Sequence, residues 1–337
     1  MALFLTMSMS VKGMVLKVKI VLLERNSLGP DIDVSCYEKL GKVDYYEVSN
    51  EENSPERIKD ADIIIVNKVP MNEKTLRDAN CVKLICVTAT GVDNIDFEYT
   101  KKRGILVTNV RNYSTAAVAQ HTFAMALYLI EHLRHYDDYV KDGTYAKQPR
   151  FSNFDLPFYE LEGKCWGIIG LGTIGQKVAK IAKAFGCKVI FYSASGNNNS
   201  GEYERVEFDT LLAEADIISI HAPLTDRTRQ LIDLDALNKM KNSAILINVA
   251  RGPIINDEDL YLALTENRIA AAGLDVLGKE PITVDNPLGK INDSNKLLIT
   301  PHLAWASTEA RIRLVEEIYK NAEAFIRGEE RNAVILL

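Results

Sequence analysis

The chain has no apolar run approaching the ~20 residues that a bilayer-spanning helix requires, so no membrane span is expected. It also lacks a basic excess. Lys and Arg number 40 against 46 Asp and Glu, and the net charge of −6 argues against nonspecific contact with nucleic acid or acidic membrane surfaces. Cysteines are few, at five (Cys36, Cys81, Cys86, Cys165, Cys187). Their number is odd and none has metal-ligand spacing. Most lie in or beside apolar runs, as buried thiols in a reducing cytosol do. There is no solenoid repeat and no low-complexity tract; the nearest thing, Ser195–Gly201, reads as a loop. Met1–Met9 is too short and too poor in positive charge for a secretory signal. It reads as a poorly ordered leader before strand-like residues begin near Val15. A cytoplasmic globular protein is what these absences leave.

What is present suits a two-domain enzyme. A chain of 337 residues can bury a substantial core, and 47% apolar with 26% charged residues is ordinary for a soluble enzyme. Strand-like runs alternate with helix-like segments almost throughout, which favours a parallel α/β architecture. The first set of strands is expected at Lys17–Leu23, Ile63–Asn67, Lys83–Thr88 and Ile105–Asn109, with short helices at Pro55–Lys59 and Asn72–Ala79. A second set of six runs through Trp166–Gly170, Lys188–Tyr192, Ile217–His221, Ala244–Asn248, Ala271–Val276 and Lys296–Ile299, at the crossover spacing of a doubly wound sheet. Ala116–Leu133 reads as one helix, apolar nearly all round its middle, that must be buried between domains or against another subunit. Thr308–Arg327 reads as an amphipathic helix with Ile312, Val315, Ile318, Tyr319, Ala322 and Phe325 on one face, capped by Ser307 and followed by Gly328.

Three glycines, Gly170, Gly172 and Gly175, follow the apolar run that starts at Trp166 and precede a helix closed by Gly186. The first permits a tight turn, the second lets backbone approach a pyrophosphate, and the third lets helix pack on strand. The helix N-terminus then offers unpaired N–H groups and its positive dipole end to phosphate. A purely structural turn is the alternative; the strand before and helix after favour a dinucleotide site.

Three strand ends beyond it carry chemistry. Arg251 follows one, and a guanidinium clamps a carboxylate in bidentate fashion, although a surface arginine before a turn is the plainer account. Asp275 and Glu280 follow the next, one suited to the nicotinamide end and the other to a histidine. His302 follows the third, after Thr300 and Pro301. Histidine titrates near working pH, and a neighbouring carboxylate fixes its ring. An arginine, an acid and a histidine on successive strand ends make a kit for reducing a 2-oxo acid.

At these residues the chain resembles the D-isomer-specific 2-hydroxyacid dehydrogenase family over nearly its whole length. The matching stretches are Thr90–Asp96, Ala117–Phe123, Leu161–Gly175, His221–Thr225, Asn248–Pro253, Asp275–Pro281 and Pro301–Ser307. The resemblance implies a Rossmann-type doubly wound domain over 109–301 and a smaller flavodoxin-like α/β substrate domain over 14–108 and 302–337, with substrate bound between them. It makes Arg251 the substrate-binding and polarising residue, His302 the general acid/base, and Glu280 its partner. Thr90 and Gly91 would present amides to the substrate carboxylate. The cofactor-binding set it implies is Gly170, Gly172, Thr173, Ile174, Ser193, His221, Pro223, Thr225, Val249, Ala250, Asp275 and His302. No metal is implied, and a homodimer built on the long apolar helix is.

Within the family, Asn67–Pro70, Val118–His121 and His302–Ser307 look most like glycerate dehydrogenases, which reduce hydroxypyruvate; glyoxylate is the next candidate substrate, and a D-lactate-type or broad 2-ketoacid reductase the alternative. Lys68 is either near substrate or a solvated loop lysine. A corepressor-like NAD(H)-sensing protein is the alternative of another class. One departure matters: relatives that prefer NAD usually carry aspartate after the second cofactor strand, where this chain has Ser193. Repulsion toward a 2′-phosphate is lost, yet no arginine stands in that loop, so NAD or NADP is left open.

Overall fold

The computed structural model describes residues 18–196 and 201–334. The expected leader, the start of the first strand at 15–17, the interior of the 195–201 loop and the last three residues lie outside the described residues. Contacts divide the chain into two compact units, Met1–Tyr113 with Thr308–Leu337, and Ser114–Ser307.

The first unit is a five-stranded parallel sheet. Its strands are β1 (Lys19–Leu22), β2 (Lys42–Tyr45), β3 (Ile63–Val66), β4 (Leu84–Val87) and β5 (Leu106–Thr108), in the order β2-β1-β3-β4-β5. This is the flavodoxin-like order. The central strands β3 and β4 are apolar at every position and buried on both faces, as strands covered by helices on either side must be. Helices α1 (Ser54–Ile58), α2 (Glu73–Leu76) and α3 (Phe97–Arg103) fill the crossovers. Neither β2 nor α3 is expected from periodicity. β2 is a short polar edge strand, while α3 announces itself through its ends: Asp96 accepts the Tyr99 amide at 2.9 Å, and Gly104 closes it at φ 66°.

The second unit holds β6 (Cys165–Ile169), β7 (Lys188–Tyr192), β8 (Glu204–Arg205), β9 (Ile217–Ile220), β10 (Ile245–Asn248), β11 (Ala271–Leu274) and β12 (Leu297–Ile299). Its seven parallel strands run β12-β11-β10-β9-β6-β7-β8, the doubly wound order, with a ligand crevice expected where β6 meets β9 and the order reverses. The six expected strands are all present, each within two residues of its expected ends, and β8 adds a seventh at the edge.

Helix α4 (Thr115–Ile130) packs on α6 (Thr173–Ala184), β10 and β11, with the Phe123 and Trp166 rings 4.5 Å apart. It stops short of the expected Leu133. The apolar stripe ends at Ile130, His132 turns left-handed at φ 51°, and a separate helix α5 (Leu133–Lys141), with no buried residue, follows. Beyond α6, helices α7 (Phe208–Glu214), α8 (Leu234–Lys239) and α9 (Asp257–Thr265) complete the layers.

The last helix, α10 (Thr308–Ile326), returns to the first unit, where Arg311 pairs with Asp31 and Arg313 donates to the Tyr113 carbonyl. Its buried face is rotated from the expected one: Leu314 and Asn321 are inside, and Ile312 is 45% exposed. The crossing points fall at 113/114 and 307/308, not at 108/109 and 301/302. Asn109 and Val110 still bond to Asn332 and Ala89, while the amides of 302–304 bond to Asp275 in the second unit.

Asn321 is a polar node of the first unit. Buried at 1% exposure, it donates to the Asn109 carbonyl and accepts from Arg331 and Asn332, joining α10 to β5 and to the chain's last described segment. Asn321→Ala strands these partners and is expected to cost about 2 kcal/mol, read as a lower urea midpoint at unchanged m.

Candidate active site

The carboxyl edge of the seven-stranded sheet gathers the site. At the end of β6, Gly170 sits at φ 95°, where an added Cβ would stand 2.7 Å from the Ala222 amide nitrogen. A Cβ on Gly175 would meet the Gly170 carbonyl oxygen at 2.2 Å, so glycine is what lets the first turn of α6 lie on the strand end. Gly172 caps α6 without any side-chain hydrogen bond, and a Cβ there would meet nothing within 4 Å. Its Cα therefore faces open space. Thr173 and Ile174 form the first turn of α6 behind it.

A cleft of about 600 Å³ opens at this point, lined by Gly170, Gly172, residues 193–195, residues 221–223 and residues 225–228. Ser193 is buried, its hydroxyl 3.5 Å from that of Ser195. Thr225 and Thr228 hold the far wall through a turn in which the Thr225 amide donates to the Thr228 hydroxyl at 2.8 Å. Arg227 lines the same cleft as Ser193, so folding brings to it a cation that the 193–195 stretch lacks. Sequence reasoning missed it because it lies 34 positions further along, next to the expected Pro223 and Thr225.

His221, also in the cleft, has one ring nitrogen 3.0 Å from the Ser219 hydroxyl, which in turn accepts the Trp166 indole N–H at 2.9 Å. Its other nitrogen, Nδ1, is buried and has no hydrogen-bond partner among the described residues. Burial pushes the ring's pKa down to about 3, so it is neutral at working pH. An open helix N-terminus, a glycine facing the cleft and an orphaned polar atom in its wall fit a bound dinucleotide.

The next strand ends bring the reactive groups together. Asn248, at the end of β10, accepts the Ala250 amide and donates to the Arg251 carbonyl, shaping the turn that carries Val249, Ala250 and Arg251. The Arg251 guanidinium donates to the Ala250 carbonyl at 2.8 Å. Past β11, Glu280 accepts the Leu277 amide at 3.0 Å through one oxygen and meets His302 Nδ1 at 2.6 Å through the other. An ionised carboxylate only accepts, so Nδ1 carries a proton and Nε2 is left for proton transfer.

Asp275, expected on the nicotinamide side, lies past the end of β11. It is 2% exposed, and its carboxylate accepts from the Thr300 hydroxyl and from the Leu303 and Ala304 amides. His121, on α4, lies against the same cluster, 3.0 Å from Thr300 Oγ1. His121 stands inside a stretch that marks the resemblance and Thr300 directly before another, and neither carries a role in it.

Thr90 and Gly91 belong to the first unit, past the end of β4. The Thr90 hydroxyl donates to the Val110 carbonyl at 2.8 Å, and neither residue's amide has an acceptor among the described residues. Lys68 is exposed, its amide donating to Glu24. Three of the five cysteines are buried, Cys81 is exposed, and all five are free. Among the described residues no cluster suits a metal, and no helix is long and apolar enough to cross a membrane.

Residues 123–304 match the family profile described as "D-isomer specific 2-hydroxyacid dehydrogenase, NAD binding domain". The chain belongs to the D-isomer-specific 2-hydroxyacid dehydrogenase family. It is 39% identical over 324 residues to a hydroxypyruvate reductase of Blautia hydrogenotrophica, covering 94% of this chain and 99% of the relative. A glycerate dehydrogenase of Methylorubrum extorquens is 37% identical, with 94% and 98% covered. Among solved structures, D-lactate dehydrogenase from Aquifex aeolicus, complexed with NAD and lactic acid, superimposes with a TM-score of 0.81 at 30% identity, covering 92% of this chain and 96% of that one. The enzyme is thus an NAD-dependent oxidoreductase of 2-hydroxy acids, nearest the glycerate dehydrogenase branch.

The neutral His221 has a consequence for acid stability. Its folded pKa lies below the unfolded value of about 6.5, so the unfolded chain binds the extra proton between the two. The stabilising contribution is complete above the unfolded pKa and is lost as pH falls toward the folded one. Replacing it by Asn removes that dependence: between pH 7.5 and 5.5 the wild type is expected to lose about 1 kcal/mol more than His221→Asn, measured by urea unfolding at both pH values.

Proposed function

We propose that this enzyme reduces a small 2-oxo acid, hydroxypyruvate or glyoxylate first, to the D-2-hydroxy acid, with His302 as general acid. The observation that carries the reading is the Glu280–His302 pair. It holds one imidazole nitrogen at 2.6 Å and leaves the other for substrate, at the sheet edge where Arg251 also emerges. The names of the hydroxypyruvate reductase and glycerate dehydrogenase relatives support the substrate class, and a broader 2-ketoacid range including a D-lactate-type reaction is the second choice.

A nicotinamide held in this cleft would supply the hydride, and the chain's own residues would handle charge and protons. Arg251 polarises the oxo group and favours the negative charge that develops on its oxygen. Thr90 and Gly91 are assigned to the substrate carboxylate, through the two amides that lack an acceptor. His302 gives its Nε2 proton to the forming alkoxide, while Glu280 steadies the ring and its charge. In the oxidising direction the same nitrogen takes the proton back, so reduction uses the protonated ring and oxidation the neutral one.

The cofactor contacts assigned to the cleft are Gly170, Gly172, Thr173, Ile174, Ser193, His221, Pro223, Thr225, Val249 and Ala250, with Asp275 supporting the nicotinamide end through His302. Ser193, Ser195 and Arg227 at the adenosine end support use of NADPH as well as NADH, since no carboxylate stands at 193 and a guanidinium shares the cleft. Asp226, beside Arg227, opposes a strong preference. The reading also places the enzyme in the cytoplasm, where its thiols would stay reduced, and makes it a homodimer. The second half of that statement rests on Leu133, Val140, Phe151, Phe154 and Phe158, large apolar side chains of one segment that are 47–90% exposed.

Mixing enzyme, hydroxypyruvate and either NADH or NADPH is expected to lower absorbance at 340 nm, and His302→Ala to reduce kcat by about a thousandfold or more. Failure of both cofactors across a panel of 2-oxo acids would sink the assignment. A kcat/KM ratio between cofactors above about a hundredfold, nearly 3 kcal/mol, would remove dual use. Light scattering should give twice the 37.7 kDa chain mass, and Phe151→Ser with Phe154→Ser should move it toward the monomer.

A further inference from the structure

We infer that His121, Thr300 and Asp275 form a hydrogen-bonded relay that holds the turn carrying His302, so that His121 and Thr300 are positioning residues for proton transfer. The inference rests on the functional reading above and adds to it two residues with no assigned role.

The donors and acceptors allow only one arrangement. Thr300 has a single hydroxyl proton, given to Asp275 Oδ1 at 2.6 Å. His121 Nε2, 3.0 Å from the same hydroxyl oxygen, must then be the donor of that contact, which places its proton on Nε2. Burial lowers the pKa of His121 against an opposing pull from Asp275, which favours the neutral ring, here as its Nε2–H tautomer. The same Asp275 Oδ1 accepts the Leu303 amide at 2.9 Å, and Oδ2 accepts the Ala304 amide at 2.9 Å. The Asp275 backbone carbonyl accepts the His302 amide at 2.8 Å. Three successive amides, 302 to 304, therefore end on one residue.

That residue has reason to be held in place. His302 sits at φ 53°, in the left-handed region that a non-glycine residue keeps only when its surroundings over-determine it. Glu280 orients the ring, while Asp275 orients the backbone beneath it. Thr300 and His121 in turn stop the Asp275 carboxylate from rotating away. With Oδ1 accepting from Thr300 and Leu303 and Oδ2 from Ala304, the relay gives this carboxylate a part in holding the turn. Small misplacements of a proton donor cost rate out of proportion to their size.

Thr300→Val keeps the shape and deletes the hydroxyl; Thr300→Ser keeps the hydroxyl. His121→Phe removes the donor and keeps a ring. The expected result is a kcat about tenfold lower in the Val and Phe variants, with KM for hydroxypyruvate and the NADH dissociation constant, from nucleotide fluorescence, within about twofold. Ser is expected to restore most of kcat. Independently of turnover, amide exchange at Leu303 and Ala304 should quicken about tenfold in Thr300→Val, with amides of β6 and α6 unchanged. Wild-type kcat and exchange in that variant would overturn the relay. So would weakened NADH binding at unchanged kcat, or a lower melting temperature that Ser does not correct. An inactive wild type would instead fell the functional reading, and the exchange result would still decide the relay.

Discussion

Parallel pairing of the strands in the second unit is the constraint on which the site depends. Because β6, β9, β10, β11 and β12 all run the same way, their carboxyl ends lie side by side, and each crossover helix returns the chain to the opposite edge. Gly170, His221, Arg251, Asp275 and His302 are spread over more than 130 positions, yet each follows a strand end of one sheet edge. Nothing local in any of these loops would bring them together. The ladder of hydrogen bonds does so, and the buried apolar runs that form the strands are what stabilise it.

At that edge the polar groups are satisfied in an order that leaves particular atoms unused. Glu280 spends one oxygen on the Leu277 amide and the other on His302, while Asp275 is filled by a hydroxyl and two amides. What is left over is one imidazole nitrogen of His302, the unpaired Nδ1 of His221 and the uncapped first turn of α6. The groups to which we assign proton transfer and phosphate binding are ones that the fold declines to use for itself. Asp275, expected on the nicotinamide side, is 2% exposed and also ties the 300–304 segment together.

Much of this was legible beforehand. The apolar runs around Ile63, Leu84, Trp166, Ile217 and Ile245 have no competing helical period, and the strands formed there. Gly170, Gly172 and Gly175 announced a strand-to-helix turn because glycine alone fits two of those positions. The partnership of Glu280 and His302 was expected from the family motif. Less visible were features that depend on a shift of a few residues. The end of α4 at Ile130, the rotated face of α10 that leaves Ile312 outside, and the polar edge strands β2 and β8 all arise where tertiary packing outweighs a weak local pattern.

By itself, then, the sequence determined the class of fold, the place of the glycine turn between β6 and α6 and the residue types of the Glu280–His302 pair. Each of these is written in a contiguous run whose period or glycine spacing has a local physical cause. Only the tertiary structure decided which side chains share an environment: Arg227 in one cleft with Ser193, His121 against Thr300, and Asp275 bonded to the Ala304 amide after His302. Those pairings join residues 34, 179 and 29 positions apart, and distances across a sheet edge are set by strand order, which no single stretch of chain encodes.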